Sequence, residues 1–291
     1  MTSLGTCAMT MSSSLLASTS ASEVIREPFA HFVSKAALAP DLYRELDASF
    51  PTPETILGGR AATIENAAAR LPAFKVLDNP AIAPLWRDFF KIHTSTVFWQ
   101  DIVRVFGSAL RETFPRLEER VGRSLEEFRI GVRGAEREAD LRLECQFVIN
   151  TPGTKTSSVK TPHVDKRQTL FAALYYFRAP EDPSSGGDLE FYRWLREPRF
   201  LNYRMILPQD VAPVGSVPYG PNTLACFVNS AQSVHGVTPR GPSTRPRRYI
   251  NFIAELPFRA FQTRSMSIPA RLLHWPQVRQ ISRRSVGADR Y

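Results

Sequence analysis

The chain has 291 residues, 43% of them hydrophobic, and a formal net charge of +9; that is enough apolar material for one large core, and the composition excludes a disordered chain. The longest apolar runs are strand-sized, such as FAALYYF, far short of the roughly 20 residues that a membrane helix needs, so no membrane span is expected. The three cysteines, Cys7, Cys145 and Cys226, are odd in number and form no CxxC pair, which argues against thiolate zinc sites and for a reducing, cytoplasmic setting.

Residues 1–22 are rich in Ser, Thr and Ala but lack the basic flank and unbroken apolar stretch of a secretory signal; they read as a flexible tail, with Met9 and Met11 as further candidate starts. Residues 23–137 read as a helical region that supports the core. LAPDLYRELDASF spaces Leu42, Leu46 and Phe50 one turn apart behind a Pro and an Asp suited to a first turn. STVFWQDIVRVFGSALRETF predicts a longer helix, with Val97, Phe98, Ile102, Val105, Phe106, Ala109 and Leu110 as its apolar stripe, Ser95 or Thr96 as cap and Pro115 as stop.

The period drops to two near residue 138. LRLECQFVIN alternates Leu143, Cys145, Phe147 and Ile149 with Arg142, Glu144, Gln146 and Asn150, the mark of a half-buried strand. Further strands are predicted at 169–178, 188–194, 202–207, 223–229 and 248–256, with Gly, Pro and Ser clusters between them. Residues 138–257 therefore read as a β-sandwich or barrel domain. A basic segment, 258–291, follows, with a short helix expected at ARLLHW. Residues 239–291 hold eleven Arg and no Lys against Glu255 and Asp289, so the positive charge is concentrated there. A solvated Arg-bearing face is the plain reading, and contact with nucleic acid or an acidic partner is the alternative.

The chemistry is expected in the strand-rich half. In TPHVD, one residue separates His163 from Asp165, so on an extended backbone both side chains project to one face and can share an ion. His235, in SVHGVTPR, lies in a turn after the predicted strand TLACFVNS and is the natural third ligand. Two imidazoles and one carboxylate, with further positions open, form the facial triad suited to non-haem Fe(II). His31, His93 and His274 have no neighbour at ligand spacing and read as packing or surface residues.

In order along the chain, PHVD, the strand TLFAALYYF, GGDLEFY, PNTLACFVNSAQSVHGVTP and RRYINF resemble the Fe(II)- and 2-oxoglutarate-dependent dioxygenases, in particular their prolyl-hydroxylase-like branch. The likeness covers about residues 141–256. It implies a mainly β, α+β protein: a double-stranded β-helix, or jelly roll, with the helical N-terminal region packed on its major sheet. It also implies Fe(II) held by His163, Asp165 and His235, with 2-oxoglutarate and O2 as co-substrates and succinate and CO2 as by-products. Related halogenases replace the carboxylate with Gly or Ala, so Asp165 favours hydroxylation over halogenation, with desaturation and ring formation by the same iron as the open alternatives.

2-Oxoglutarate needs a cation for its distal carboxylate, for which the bidentate fork of Arg is suited. Arg245, Arg247 and Arg248 compete. Period two groups Arg248 with Ile250, Phe252 and Ala254, taken here as the inward face. The family's RY followed by an apolar strand also aligns on Arg248, with Arg245 second and three surface arginines as the plain alternative. By the resemblance Tyr176 and Asn150 are candidate co-substrate contacts. The expected substrate is a small molecule, such as an amino acid or a biosynthetic intermediate. A protein or nucleic-acid substrate for the same chemistry, or a non-catalytic cupin-like metal-binding protein, are the rivals.

Overall fold

Proline opens the first three helices, α1 (Pro40–Ala48), α2 (Pro53–Leu57) and α3 (Pro84–His93), where its missing N–H would have found no partner in any case. Two helices follow, α4 (Thr96–Thr113) and α5 (Leu117–Val121). The molecule is described by a computed structural model over residues 10–59, 64–136, 138–157 and 160–266. In α4 the predicted stripe is buried from Phe98 to Leu110, but Val97 is 58% exposed. Ser95 occupies the N-cap position, yet its hydroxyl donates backwards to the carbonyl of Ile92 at 2.7 Å.

Ten strands lie among the described residues. They are β1 (His31–Ser34), β2 (Ala68–Pro72), β3 (Ile130–Val132), β4 (Leu141–Asn150), β5 (Thr169–Tyr176), β6 (Leu189–Trp194), β7 (Val211–Val217), β8 (Thr223–Val228), β9 (His235–Val237) and β10 (Arg247–Glu255). The larger sheet runs β1-β8-β5-β10-β4-β2, with β3 beside β4, and the smaller runs β7-β6-β9. Mixed α and β content dominated by two sheets is thus observed.

The larger sheet separates its residues by parity. Leu143, Cys145, Phe147 and Ile149 of β4, with Ile250, Phe252 and Ala254 of β10, join a core shared with α1, α3 and α4. Phe147 meets Trp86 edge-on at 4.7 Å, and Phe171 meets Phe106 at 5.3 Å. Each fully buried large side chain in this layer contributes roughly 2–3 kcal/mol. The opposite face looks toward the smaller sheet: Val148, Ala172, Tyr176, Phe227 and Tyr249 pack with Leu189, Phe191 and Val217. Strand β4 is therefore buried on both faces and not on one alone: Glu144, Gln146 and Asn150 belong to this inner face, covered by the smaller sheet, and are buried.

Four expectations are corrected. Residues 10–22 of the expected tail are packed: Leu16 is fully buried, Ser14 Oγ donates to Asp101 at 2.7 Å, and Arg104 bonds the carbonyls of Leu16 and Ala17. The expected helical region also supplies β1, β2 and β3, so the larger sheet draws strands from both sides of residue 138. Strand β7, expected as loop because of Pro213 and Gly215, is an edge strand, where a missing donor costs no ladder bond. No strand spans 202–207; Leu201 N–H turns back to the Met205 carbonyl at 2.7 Å. Cys7, Met9, His274 and the expected helix at ARLLHW lie outside the described residues. Among the described residues no helix is long and apolar enough to cross a membrane.

His93 ties the N-terminal segment down. Its Nδ1 bonds the Phe89 carbonyl at 2.8 Å, and its Nε2 accepts the Leu15 N–H at 3.0 Å. Burial pushes its pKa down to about 4, so the unfolded chain takes up a proton below the ordinary value of 6.5 while the folded protein does not. Stability is therefore expected to fall between about pH 6.5 and 4, by on the order of 3 kcal/mol. Urea unfolding across that range checks this, and His93→Leu should flatten the slope.

Candidate functional site

Two short backbone segments converge at the smaller sheet. His163 and His235 exchange both backbone hydrogen bonds, N–H to C=O at 2.9 Å each way, and Val237 N–H bonds the Lys160 carbonyl at 2.9 Å. Residues 160–164 thus lie alongside β9, and Val164 N–H and Ile206 N–H link the same segment to 204–206. The two imidazoles sit with ring centroids 4.3 Å apart.

Asp165 completes the group. Its Oδ1 lies 3.9 Å from His163 Nε2 and its Oδ2 3.8 Å from His235 Nε2, and the donor atoms of the three residues fall within 4.8 Å of one another. Nδ1 of His163 bonds the Thr161 carbonyl and Nδ1 of His235 the Ser233 carbonyl, both at 2.9 Å. These bonds fix the tautomer and leave each Nε2 lone pair for an ion. Burial lowers the pKa of both rings, helped at His163 by His235, Lys160 and Arg204 and opposed at His235 by Asp165, so both are unprotonated near neutrality. Two neutral imidazoles and a carboxylate at these separations suit a divalent ion of the Fe(II) type.

Asn229 was not anticipated from sequence. It follows β8 and is fully buried. Its Oδ1 accepts the Asp165 N–H at 3.1 Å and the Ser233 hydroxyl at 3.2 Å, and its Nδ2 donates to the Lys166 and Thr169 carbonyls. One amide therefore joins the segment bearing Asp165 to the turn before His235.

The inward arginine is Arg247, and this corrects the assignment of Arg248. Arg248 projects toward the helices, where it donates to Asp47 Oδ1 of α1 at 2.7 Å and lies 5.1 Å from the Phe50 ring. The apolar parity of β10 is covered by helices, and the polar parity lines the space between the sheets. Arg247 is 1% exposed. Its guanidinium is surrounded by the rings of Tyr176, Tyr219 and Tyr249 at 4.9, 4.9 and 4.7 Å. Nε donates to the Gly187 carbonyl at 3.0 Å and Nη1 reaches Asn150 Oδ1 at 3.4 Å. The GGD turn makes the first bond possible: Gly186 and Gly187 both have positive φ, and a Cβ on Gly186 would lie 2.0 Å from the Pro239 carbonyl oxygen. Arg245 contributes its carbonyl, which accepts from Arg240 at 2.7 Å.

Asn150 and Tyr176 fall beside Arg247, since β10 pairs Arg247 with Asn150 and Tyr249 with Tyr176. Three buried polar atoms here make no hydrogen bond of ordinary geometry among the described residues: Asn150 Nδ2, Tyr176 Oη and Arg247 Nη2, the last two close enough that the phenol and the guanidinium interact. All three can donate, which is the complement of an anion with several acceptor atoms. Phe227 connects the two halves of the site, packing in the same cluster as Tyr176 and Tyr249 and lying 4.6 Å from the His235 ring. A cavity of about 710 Å³ opens beside Asp165 along the inner face of β4 and β10, with Glu144, Gln146 and Asn251 in its wall.

No protein-family model matches the sequence, and no curated protein matches it. Among solved structures, a prolyl-4-hydroxylase from Pseudomonas putida is similar at 16% identity, covering 78% of this chain and 93% of that one with a TM-score of 0.43. An oxidoreductase of the 2OG-Fe(II) oxygenase family from Burkholderia pseudomallei is 12% identical, with 81% and 88% covered and a TM-score of 0.40. The epimerase SnoN, in complex with Fe3+, alpha ketoglutarate and nogalamycin RO, is 12% identical, with 77% and 78% covered and a TM-score of 0.43. Likeness this distant leaves the activity to be read from the chain's own side chains.

Glu144 gives a readout of the cavity wall. Burial outweighs its bond from the Ala73 N–H at 2.9 Å and Arg133 at 3.9 Å, and pushes the carboxyl up to about 7. The folded state therefore holds a proton that the unfolded chain releases near the ordinary value of 4.5, and stability should decline as pH rises between them. Glu144→Gln is expected to remove that decline, gaining roughly 3 kcal/mol relative to wild type on going from pH 5 to pH 8, as measured by denaturant unfolding.

Proposed function

We propose that the chain is an Fe(II)- and 2-oxoglutarate-dependent oxygenase with a jelly-roll core, hydroxylating a C–H bond of a small organic molecule in the cytoplasm. The observation that carries this reading is the buried group of Arg247, Asn150 and Tyr176, whose donors Asn150 Nδ2, Tyr176 Oη and Arg247 Nη2 are not satisfied at ordinary geometry among the described residues, in the same interior as the His163, Asp165 and His235 group. Leaving a buried donor unmet costs roughly 1–3 kcal/mol, so three on neighbouring residues mark a place kept for a ligand. Residues 138–257 form the oxygenase core in this reading, completed by β1 and β2 from the supporting region.

Ferrous iron and 2-oxoglutarate, if held by these residues, would supply oxidative chemistry in which the co-substrate is decarboxylated to succinate and CO2, one atom of dioxygen entering succinate and the other the hydroxylated substrate. His163 and His235 offer neutral Nε2 donors, and Asp165 offers the single negative charge. Arg247 would neutralise the distal carboxylate of the co-substrate, while Asn150 Nδ2 and Tyr176 Oη donate to the same group and fix its orientation. Tyr219 and Tyr249 exclude water around the guanidinium, which strengthens its attraction for a carboxylate. A metal-storage protein of cupin type has no use for a buried cation with donors left open. The cavity beside Asp165 favours a small molecule over a protein or nucleic-acid chain.

The test is anaerobic addition of Fe(II) and 2-oxoglutarate, followed by the visible charge-transfer band, and then succinate release in air. Arg247→Leu should raise the 2-oxoglutarate concentration needed for half the band by about tenfold or more, whereas Arg248→Ala should leave it within about twofold. A band of wild-type affinity in Arg247→Leu, or no band in the wild type, contradicts the reading.

A further inference from the structure

The stretch APEDPSSGGD between β5 and β6 lies outside the helices and strands, yet a buried ion pair ties it to the chain after β9. Arg240 Nη2 lies 3.0 Å from Asp182 Oδ2, and the two side chains are 3% and 0% exposed. Both partners make further bonds. Arg240 Nε donates to Ser184 Oγ at 3.0 Å and Nη2 also to the Arg245 carbonyl at 2.7 Å. Asp182 Oδ1 accepts the Ser243 hydroxyl at 2.9 Å and the Ser184 N–H at 3.1 Å. Gly241 N–H bonds the Ser185 carbonyl and Thr238 N–H the Asp188 carbonyl, each at 2.9 Å, so main-chain bonds complete the clamp.

Neither Asp182 nor Arg240 belongs to the triad or to the group around Arg247, but the turn they clamp builds that group. Gly187 lies between the two arginines: a Cβ there would meet Arg247 Nε at 3.4 Å and Arg240 Cδ at 3.6 Å. Its carbonyl accepts Arg247 Nε at 3.0 Å. Asp188 Oδ1 accepts the Tyr219 N–H at 2.8 Å, and the Tyr219 ring lies 4.9 Å from the Arg247 guanidinium. The turn therefore sets the bond at Nε and one of the three surrounding rings. With Asn150 at Nη1, this leaves Nη2 as the nitrogen without a bond of ordinary geometry among the described residues. A buried ion pair contributes little net stability compared with apolar residues of similar volume. What it adds here is one geometry, enforced by directional bonds from a planar fork.

Resting on the function proposed above, we propose that Asp182 and Arg240 are positioning residues for the co-substrate: they clamp the 182–188 turn so that Gly187 and Tyr219 hold the Arg247 guanidinium with Nη2 free for the distal carboxylate of 2-oxoglutarate. The pair acts through the turn and not on the co-substrate itself. Asp182 also balances the charge of Arg240, so no second unneutralised cation stands beside Gly187. Loosening the clamp gives the Nε bond and the ring contact freedom that must be lost again when the carboxylate binds. That cost falls on the distal carboxylate. The triad is held by separate bonds, those between His163 and His235 and those of Asn229, so recognition of the 2-oxo acid end does not depend on the turn.

The experiment titrates two acids into the full chain loaded with Fe(II), without oxygen, and reads the visible charge-transfer band. The acids are 2-oxoglutarate and 2-oxopentanoate, which has the same five carbons but no distal carboxylate. The wild type is expected to bind 2-oxoglutarate about tenfold or more tightly than 2-oxopentanoate. D182N should weaken 2-oxoglutarate by about tenfold. R240K, which keeps the charge balance but removes the planar fork, should weaken it by about fivefold. Binding of 2-oxopentanoate should stay within about twofold in both variants, a selectivity that a general loss of structure would not produce. Urea unfolding reports the fold of each variant, and R240K carries the test if D182N does not fold. An equal loss of both acids, or 2-oxoglutarate binding unchanged in R240K, would overturn the proposal. Arg247→Leu separates the two readings. If it abolishes the preference for 2-oxoglutarate while D182N and R240K retain it in full, the co-substrate reading stands and the clamp falls; if the wild type binds both acids alike, both fall.

Discussion

The reciprocal pair of backbone hydrogen bonds between His163 and His235, 2.9 Å in each direction, is the constraint on which the candidate site depends. Residues far apart in sequence are held with their rings 4.3 Å apart by a contact that neither side chain makes. The side chains are left for chemistry because their Nδ1 atoms are bonded to nearby carbonyls. Asn229 then fixes the third member by gripping the Asp165 backbone and the turn before His235 together. The geometry of the triad is thus set by main-chain pairing and one buried amide, which is how a fold holds three ligands near one point before an ion neutralises their mutual cost.

The two faces of the larger sheet explain where the rest of the site lies. One face is sealed by aromatic contacts to the helices, such as Phe90 on Phe147 at 4.6 Å and Phe89 over Phe252 at 6.1 Å. The other must accept whatever polar residues the strands carry, and it does so by pairing some and leaving others for ligands. Arg247 illustrates this compromise: two of its nitrogens are bonded, three tyrosine rings surround it, and Nη2 makes no hydrogen bond of ordinary geometry among the described residues. Burying an unpaired guanidinium is costly. The cost is understandable where an anion completes the shell.

Much of this was legible in the sequence because it rests on periodicity and local spacing. Alternation in LRLECQFVIN located β4, the 3.6-residue stripe located α4, and HxD followed by a distant His located three side chains that come together in space. Less legible was anything that depended on which face an element turns to its neighbour. Period two correctly split Arg247 from Arg248, but it could not say that the apolar half faces helices and the polar half faces the chemistry. The Asn150, Gln146 and Glu144 parity of β4, opposite Arg247 and Asn251 in register, was the signal that could have found Arg247. Strand β7 and the bonds of residues 14–19 to α3 and α4 were missed because Pro, Gly and Ser there suggest loops, and only tertiary partners decide otherwise.

The most direct test of the central claim is equilibrium dialysis of Fe(II) without oxygen against the wild-type chain, His163→Ala and His235→Ala. One ion per chain is expected for the wild type, with affinity lower by more than about tenfold in each variant. Wild-type affinity retained in either variant would mean that the two histidines do not share an ion, and the account would fail.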